Sequence, residues 1–126
     1  MYNYNAKLDR VVDGDTIDAM IDLGFGVYVK KRIRLAGINA PESRTRNLVE
    51  KKLGLAAKGR LKEMLEGAAN VFELESQELG KYGRVLGRLH INKLAGKDVL
   101  TQVCINDCLV KEGHAVKYDG GKRKSF

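Results

Sequence analysis

Residues 15–42 read DTIDAMIDLGFGVYVKKRIRLAGINAPE. Two strands and a turn are legible in this stretch. Ile17, Ala19, Ile21 and Leu23 alternate with Thr16, Asp18, Met20 and Asp22, the pattern of a strand with one buried face. Leu23-Gly24-Phe25-Gly26 reads as a turn. A third strand of the chain then spans residues 27–38. Val27, Val29, Ile33 and Leu35 form one of its faces, interrupted by Lys31; Tyr28, Lys30, Arg32 and Arg34 form the other. An aromatic and three cations on one face suit contact with phosphate, although a solvated basic face accounts for them too. Pro41, the single proline of the chain, pushes Ala40 out of helical geometry and lacks a ladder donor, so the strand stops there.

Upstream, residues 7–13, KLDRVVD, read as a further strand. Asp13-Gly14-Asp15 joins the two as a tight connection, with Gly14 free to take positive φ. The two aspartates can set both carboxylates on one side, and a plain Asp-Gly hairpin turn explains the same residues. An EF-hand loop from Asp13 is excluded, because its sixth and twelfth positions would be Asp18 and Gly24 instead of Gly and Glu.

Downstream, residues 43–53 are strongly charged and read as a loop. Residues 55–67 read as a helix, with Leu55, Ala56, Leu61, Met64, Leu65 and Ala68 on one stripe and Gly67 as its C-terminal cap. Gly54 and Gly59 each cost such a helix about 1 kcal/mol relative to Ala, so packing must hold it. Strands are expected at 70–76, 85–91 and 98–105, with loops at 77–80 and 93–97. Asn106 is expected to cap a short helix that turns Leu109 and Val110 inward and ends at Gly113. The sum is a mainly β chain with helices (α+β): a five-stranded OB-type Greek-key barrel, one helix inserted after strand three, and a short helix near the C-terminus.

A length of 126 residues suits one domain, and 44% apolar with 31% charged residues is an ordinary globular mixture. No apolar run approaches the ~18 residues of a membrane span. The start, MYNYNAKLDR, has no apolar core of a secretory signal, so a cytoplasmic setting is expected. Cys104 and Cys108 are too few for a disulfide framework and lack zinc spacing, so they read as reduced thiols. The net charge of +7 points to a polyanionic partner, nucleic acid or an acidic membrane, and no basic amphipathic helix supports the membrane.

Three segments carry the chemistry: VVDGDTI at 11–17, RIRLAGINAPE at 32–42 and KYGRVLGRL at 81–89. In this order and separation, with LVKEGHA at 109–115, the chain resembles the staphylococcal nuclease (thermonuclease) family from about residue 7 to 118. The resemblance implies a single OB-fold nuclease domain over residues 1–118; the glycine-flanked basic residues of 119–126, DGGKRKSF, read as a mobile tail. The resemblance also implies a calcium-dependent endonuclease that hydrolyses DNA and/or RNA by in-line attack of water, leaving 3′-phosphate and 5′-hydroxyl ends; nothing in the sequence suggests a dedicated interface, so a monomer is the default expectation. Catalysis falls to Arg34, Glu42 and Arg84. The calcium ligands fall on Asp15, Asn39 and the backbone carbonyl of Ala40, with Asp13 beside the metal. Lys81 and Tyr82 match residues that touch a terminal phosphate, and Tyr118 lies near the family's substrate-contacting tyrosines. The family usually has Asp at position 39 and Thr at position 40. Only a carbonyl is needed at the latter, but Asn39 removes one formal charge, which implies a weaker metal site. The other reading is a non-catalytic OB-fold nucleic-acid-binding module. Relatives of that kind lose the arginines or the glutamate, and Arg34, Glu42 and Arg84 are all present here. His114 reads as a packing or surface histidine, not as an extra base.

Overall fold

Strands β1 (Tyr2–Asp13), β2 (Thr16–Asp22) and β3 (Tyr28–Leu35) form an antiparallel meander in a computed structural model that describes residues 2–79, 84–94 and 100–118. After β3 come a two-residue strand β4 (Ile38–Asn39), helix α1 (Leu48–Gly67), β5 (Val71–Leu79), β6 (Val85–Leu94), β7 (Leu100–Cys104), helix α2 (Ile105–Lys111) and β8 (Val116–Lys117). β5 pairs antiparallel with both β1 and β6. β6 also pairs in parallel with β3, matching Ile33 to Val85, Arg34 to Leu86 and Leu35 to Gly87. That pairing closes a five-stranded barrel in the order β1-β2-β3-β6-β5. β7 adds to the far side of β6, and β4 pairs with β8.

The alternation expected in β2 and β3 holds where the core needs it. Ile17, Ala19, Ile21, Ile33 and Leu35 are buried, facing Phe72, Leu74, Val85, Leu89 and Ile91. Leu23 and Val27 are half-exposed instead, because β2 ends at Asp22 and a run of left-handed residues, Gly24, Phe25 and Gly26, turns the chain away. Gly14 does not use positive φ. Its role is space: a Cβ there would lie 2.6 Å from the Cβ of Ala57 and 3.1 Å from that of Ala40, so the β1–β2 turn presses directly on α1.

Several expected boundaries move. The expected loop at 43–53 is helical from Leu48, because the Asn47 side chain accepts from the backbone N–H of Val49 and Glu50, both at 3.1 Å. The buried stripe of α1 is Gly54, Ala57, Leu61, Met64 and Leu65; Leu55, Ala56 and Leu48 are exposed. The two smallest residues make the closest contacts, so a stripe chosen for hydrophobicity falls on the wrong side. Gly67 is the last helical residue and not the cap. Ala68 caps α1, and Ala69 and Asn70 take the left-handed turn, with the Asn70 N–H donating to the Leu65 carbonyl at 2.8 Å. β5 runs on to Leu79 and β6 to Leu94, through positions expected to be loop, and Ile105 opens α2 instead of closing β7.

Asn106 is not a helix cap; Cys104 holds that position without a side-chain bond. The Asn106 side chain is fully buried. Its Oδ1 accepts from the Leu89 N–H at 3.1 Å, and its Nδ2 donates to the carbonyls of Ala36 at 2.9 Å and Gly87 at 3.2 Å. α2 is thereby fastened to the β3 exit and to β6 at once. Cys104 and Cys108 are free thiols, and burial raises the Cys104 thiol above its ordinary range. No helix of the described residues is long and apolar enough to cross a membrane.

Gly54 and Gly59 separate two causes of glycine in one helix. A Cβ at Gly54 would collide with the backbone of Glu42 and Ser43, whereas one at Gly59 meets nothing. Gly59→Ala is expected to stabilise the protein by about 0.5–1 kcal/mol. Gly54→Ala is expected to destabilise it by about 1–3 kcal/mol despite the better helix propensity. Urea unfolding of the two variants checks both signs.

Candidate active site

The β1–β2 turn projects Asp13 and Asp15 onto the segment that follows β4. Asp15 is buried, and its Oδ2 accepts from the backbone N–H of Ala40 at 2.8 Å. Its Oδ1 accepts from the hydroxyl of Thr16 at 2.9 Å. Asp13 accepts through Oδ1 from both the N–H and the hydroxyl of Ser43. Both carboxylates therefore grip the stretch that contains Asn39, Ala40 and Glu42. From its other side this stretch rests on Gly54 of α1. Glu42 itself is exposed.

Arg34 leaves the outer face of β3, since its neighbours Ile33 and Leu35 fill the core. Its Nη1 donates to the carbonyl of Leu35 at 3.0 Å and stands 3.5 Å from Asp15 Oδ2. Its Nη2 donates to Asn39 Oδ1 at 3.2 Å. One guanidinium thus joins Asp15 to Asn39. Arg84 directly precedes β6 at Val85, which pairs with Ile33, so it enters from the strand beside β3 and is half-buried. Tyr118 lies further along the chain. Its N–H donates to the Gly37 carbonyl at 2.8 Å, and it lines an open groove of about 750 Å³ with Ile38, Arg88, Lys111 and Lys117. Lys81, Tyr82 and the tail at 119–126 lie outside the described residues.

The geometry adds Thr16, Ser43 and Gly54 to the residues singled out from the sequence. Ser43 carried one usable signal, a hydroxyl directly after Glu42. Thr16 and Gly54 carried none, because each matters only through a segment distant in the chain.

A family model described as staphylococcal nuclease homologue matches residues 32–125. The chain belongs to the staphylococcal nuclease family. A search of curated proteins finds no match. The staphylococcal nuclease match begins at Arg32 and leaves Asp13 and Asp15 outside it, yet the bonds from Asp15 to Ala40 and from Asp13 to Ser43 tie both aspartates into the matched part.

The divalent cation implied by the family can be tested against the donors. Asp15, Asn39 and the Ala40 carbonyl offer hard oxygens, the type such a cation takes. The fit is a weak one. Asp15 supplies the one carboxylate among these three donors, and the Asn39 oxygen is engaged by Arg34. The Asn39 Nδ2 is buried without a partner. Arg34 fixes that orientation, because a turned amide would set Nδ2 against Nη2, donor against donor. No cluster of three or more His, Cys, Asp or Glu able to hold a metal exists among the described residues.

On the same outer face, Asp18 accepts from Arg32 and Arg10, each through Nε at 2.9 Å. The Arg32 bond foremost, and then Arg10, hold its carboxyl down at about 2. A carboxyl whose folded value lies below its unfolded value stabilises the fold above that unfolded value and loses the contribution as pH falls. Unfolding free energy should therefore drop between about pH 4 and pH 2. Asp18→Asn should flatten that part of the acid limb in urea unfolding measured across this range.

Proposed function

We propose that the chain is a phosphodiesterase that cleaves DNA or RNA by in-line attack of water, leaving 3′-phosphate and 5′-hydroxyl ends. The observation that carries this reading is Arg34, a guanidinium held on Leu35 and Asn39 at the edge of the segment that bears Glu42. Its role follows from charge. As water adds to phosphorus, negative charge builds on the non-bridging oxygens. Guanidinium groups give those oxygens paired, charge-assisted hydrogen bonds, Arg34 from β3 and Arg84 from the head of β6. Glu42 accepts a proton from the attacking water, or orients it, while the bond from phosphorus to the 5′-oxygen breaks and that oxygen takes a proton from solvent. Donors fixed before the reaction need no reorganisation during it, and removing one good donor costs roughly 3 kcal/mol.

A divalent cation, calcium first, would be held by Asp15, by Asn39 through its amide oxygen, and by the Ala40 carbonyl, and when bound supplies positive charge at the scissile phosphate. Asn39 must then turn its oxygen away from Arg34. A substrate phosphate that engages Arg34 removes the competition, so the metal site fills fully only with substrate in place. Calorimetric calcium titration of the free protein should show clearly tighter binding for Asn39→Asp than for the wild type, because the substitution restores one formal charge. Equal affinity would remove this account of Asn39.

Incubation of plasmid DNA and single-stranded RNA with calcium, with magnesium and with chelator tests the activity. Cleavage is expected with metal, and Arg34→Ala or Arg84→Ala should lower it by about a hundredfold or more, with less effect on the fold than on the rate. Wild-type rates in either variant would refute the assignment. Binding without cleavage under every condition would make the chain a nucleic-acid-binding module instead.

A further inference from the structure

The register of the β1–β2–β3 meander divides its outer face into rows. Asp13, Thr16 and Arg34 form the row of the candidate site. Arg10, Asp18 and Arg32 form the next row. Arg10 reaches this face through a β-bulge. Pairing steps from Leu8–Ala19 directly to Arg10–Asp18, so Asp9 is the extra residue, and a second irregularity at Val12 returns Asp13 to the same side. Lys7, Arg10 and Asp13 thus share one face at every third residue, where an unbroken strand would have turned Arg10 inward.

The middle row is a brace. Arg32 reaches Asp18 through Nε at 2.9 Å and Nη2 at 3.3 Å, and Arg10 through Nε at 2.9 Å. The Asp18 side chain is 13% exposed, while those of Arg10 and Arg32 are 55% and 44% exposed. One shielded anion fixes two open cations, with one positive charge left over. Among the described residues nothing else bonds the Nη atoms of Arg10 or Nη1 of Arg32. One arginine would already pair the single charge of Asp18, so folding alone gives a thin reason for the second. Two residues along β3 cover about 6.6 Å, which sets Arg32 one row from Arg34 at close to the spacing of successive phosphates in an extended strand. Across β3, the same row leads to the start of β6, where Arg84 lies.

We propose that Arg10 and Arg32, braced by Asp18, bind the phosphate next to the scissile one in an extended single-stranded polynucleotide. This builds on the phosphodiesterase reading and makes its substrate a chain instead of an isolated ester. Each arginine presents a planar fork suited to phosphate oxygens, and the brace removes much of the side-chain freedom that binding would otherwise have to quench.

The test compares the binding of a single-stranded octanucleotide with that of a dinucleoside monophosphate, by calorimetry in chelator so that neither is consumed. In Arg10→Gln/Arg32→Gln, the ratio of octanucleotide to dinucleotide affinity should fall about tenfold. The slope of log affinity against log salt should flatten by about 0.7, the share of one neutralised phosphate on a single strand. Lys62→Gln/Lys93→Gln removes the same charge from exposed positions on α1 and β6 and should do neither. Arg10→Lys/Arg32→Lys should keep the salt slope and lose part of the affinity ratio, which holds the test if the glutamine pair folds poorly. Equal losses for both ligands, or the same loss in the α1 and β6 control, overturn the subsite. A wild-type chain that shows this pattern but cleaves nothing removes the phosphodiesterase reading and leaves the subsite standing. A wild-type chain that binds neither ligand overturns both.

Discussion

Asp15 is a buried carboxylate, and a buried charge is tolerated only where hydrogen bonds and opposite charge replace the water it lost. Thr16, the Ala40 N–H and Arg34 supply that replacement. The three donors come from β2, from the segment after β4 and from β3. Moving any of them would strand the carboxylate, so its burial costs force the three pieces into one geometry. Asp13 and Ser43 repeat the device one step further on, and Gly14 lets the turn between the two aspartates lie against α1. The position of Glu42 follows from these contacts, since its own segment has little regular structure to define it.

Much of this could be read directly from the residues. Alternation in β2 and β3 identified Ile17, Ala19, Ile21, Ile33 and Leu35 as core and set Arg34 on the opposite face. Pro41 marked where the strand gives way to the segment of Glu42. The barrel followed from the number and spacing of the strands, because five short strands with one inserted helix have few ways to bury their apolar faces. The pairing of Asp13 and Asp15 with that segment could not be read. A spacing of two residues shows that two carboxylates can share a side, but not which distant backbone they meet.

What stayed hidden has a common physical cause. Hydrophobic patterning reports burial by large side chains, while the closest contacts here are made by small ones. Gly14, Gly54 and Ala57 bring backbone against backbone, and in composition they look like weak points in a helix and a turn. Asn106 looks like a cap by residue type and serves as a three-way fastener, because its amide meets the carbonyls of Ala36 and Gly87 and the N–H of Leu89 at the β3 exit and on β6. The bulges of β1 are equally silent, since one extra residue leaves no mark in a run such as KLDRVVD while changing which side chains share a face.

The β3–β6 pairing is the seam of the barrel. It is parallel and matches only three residue pairs, against seven between β2 and β3. Its two strands are distant in the chain, so bringing them together carries a loop-closure cost that few paired residues offset. The seam also separates Arg34 from Arg84. A polyanion that engages both arginines spans the join and binds only the closed form, so it must tighten the closure by mass action. For such a polyanion barrel closure and capture are one equilibrium, and without it the protein should breathe first along this seam.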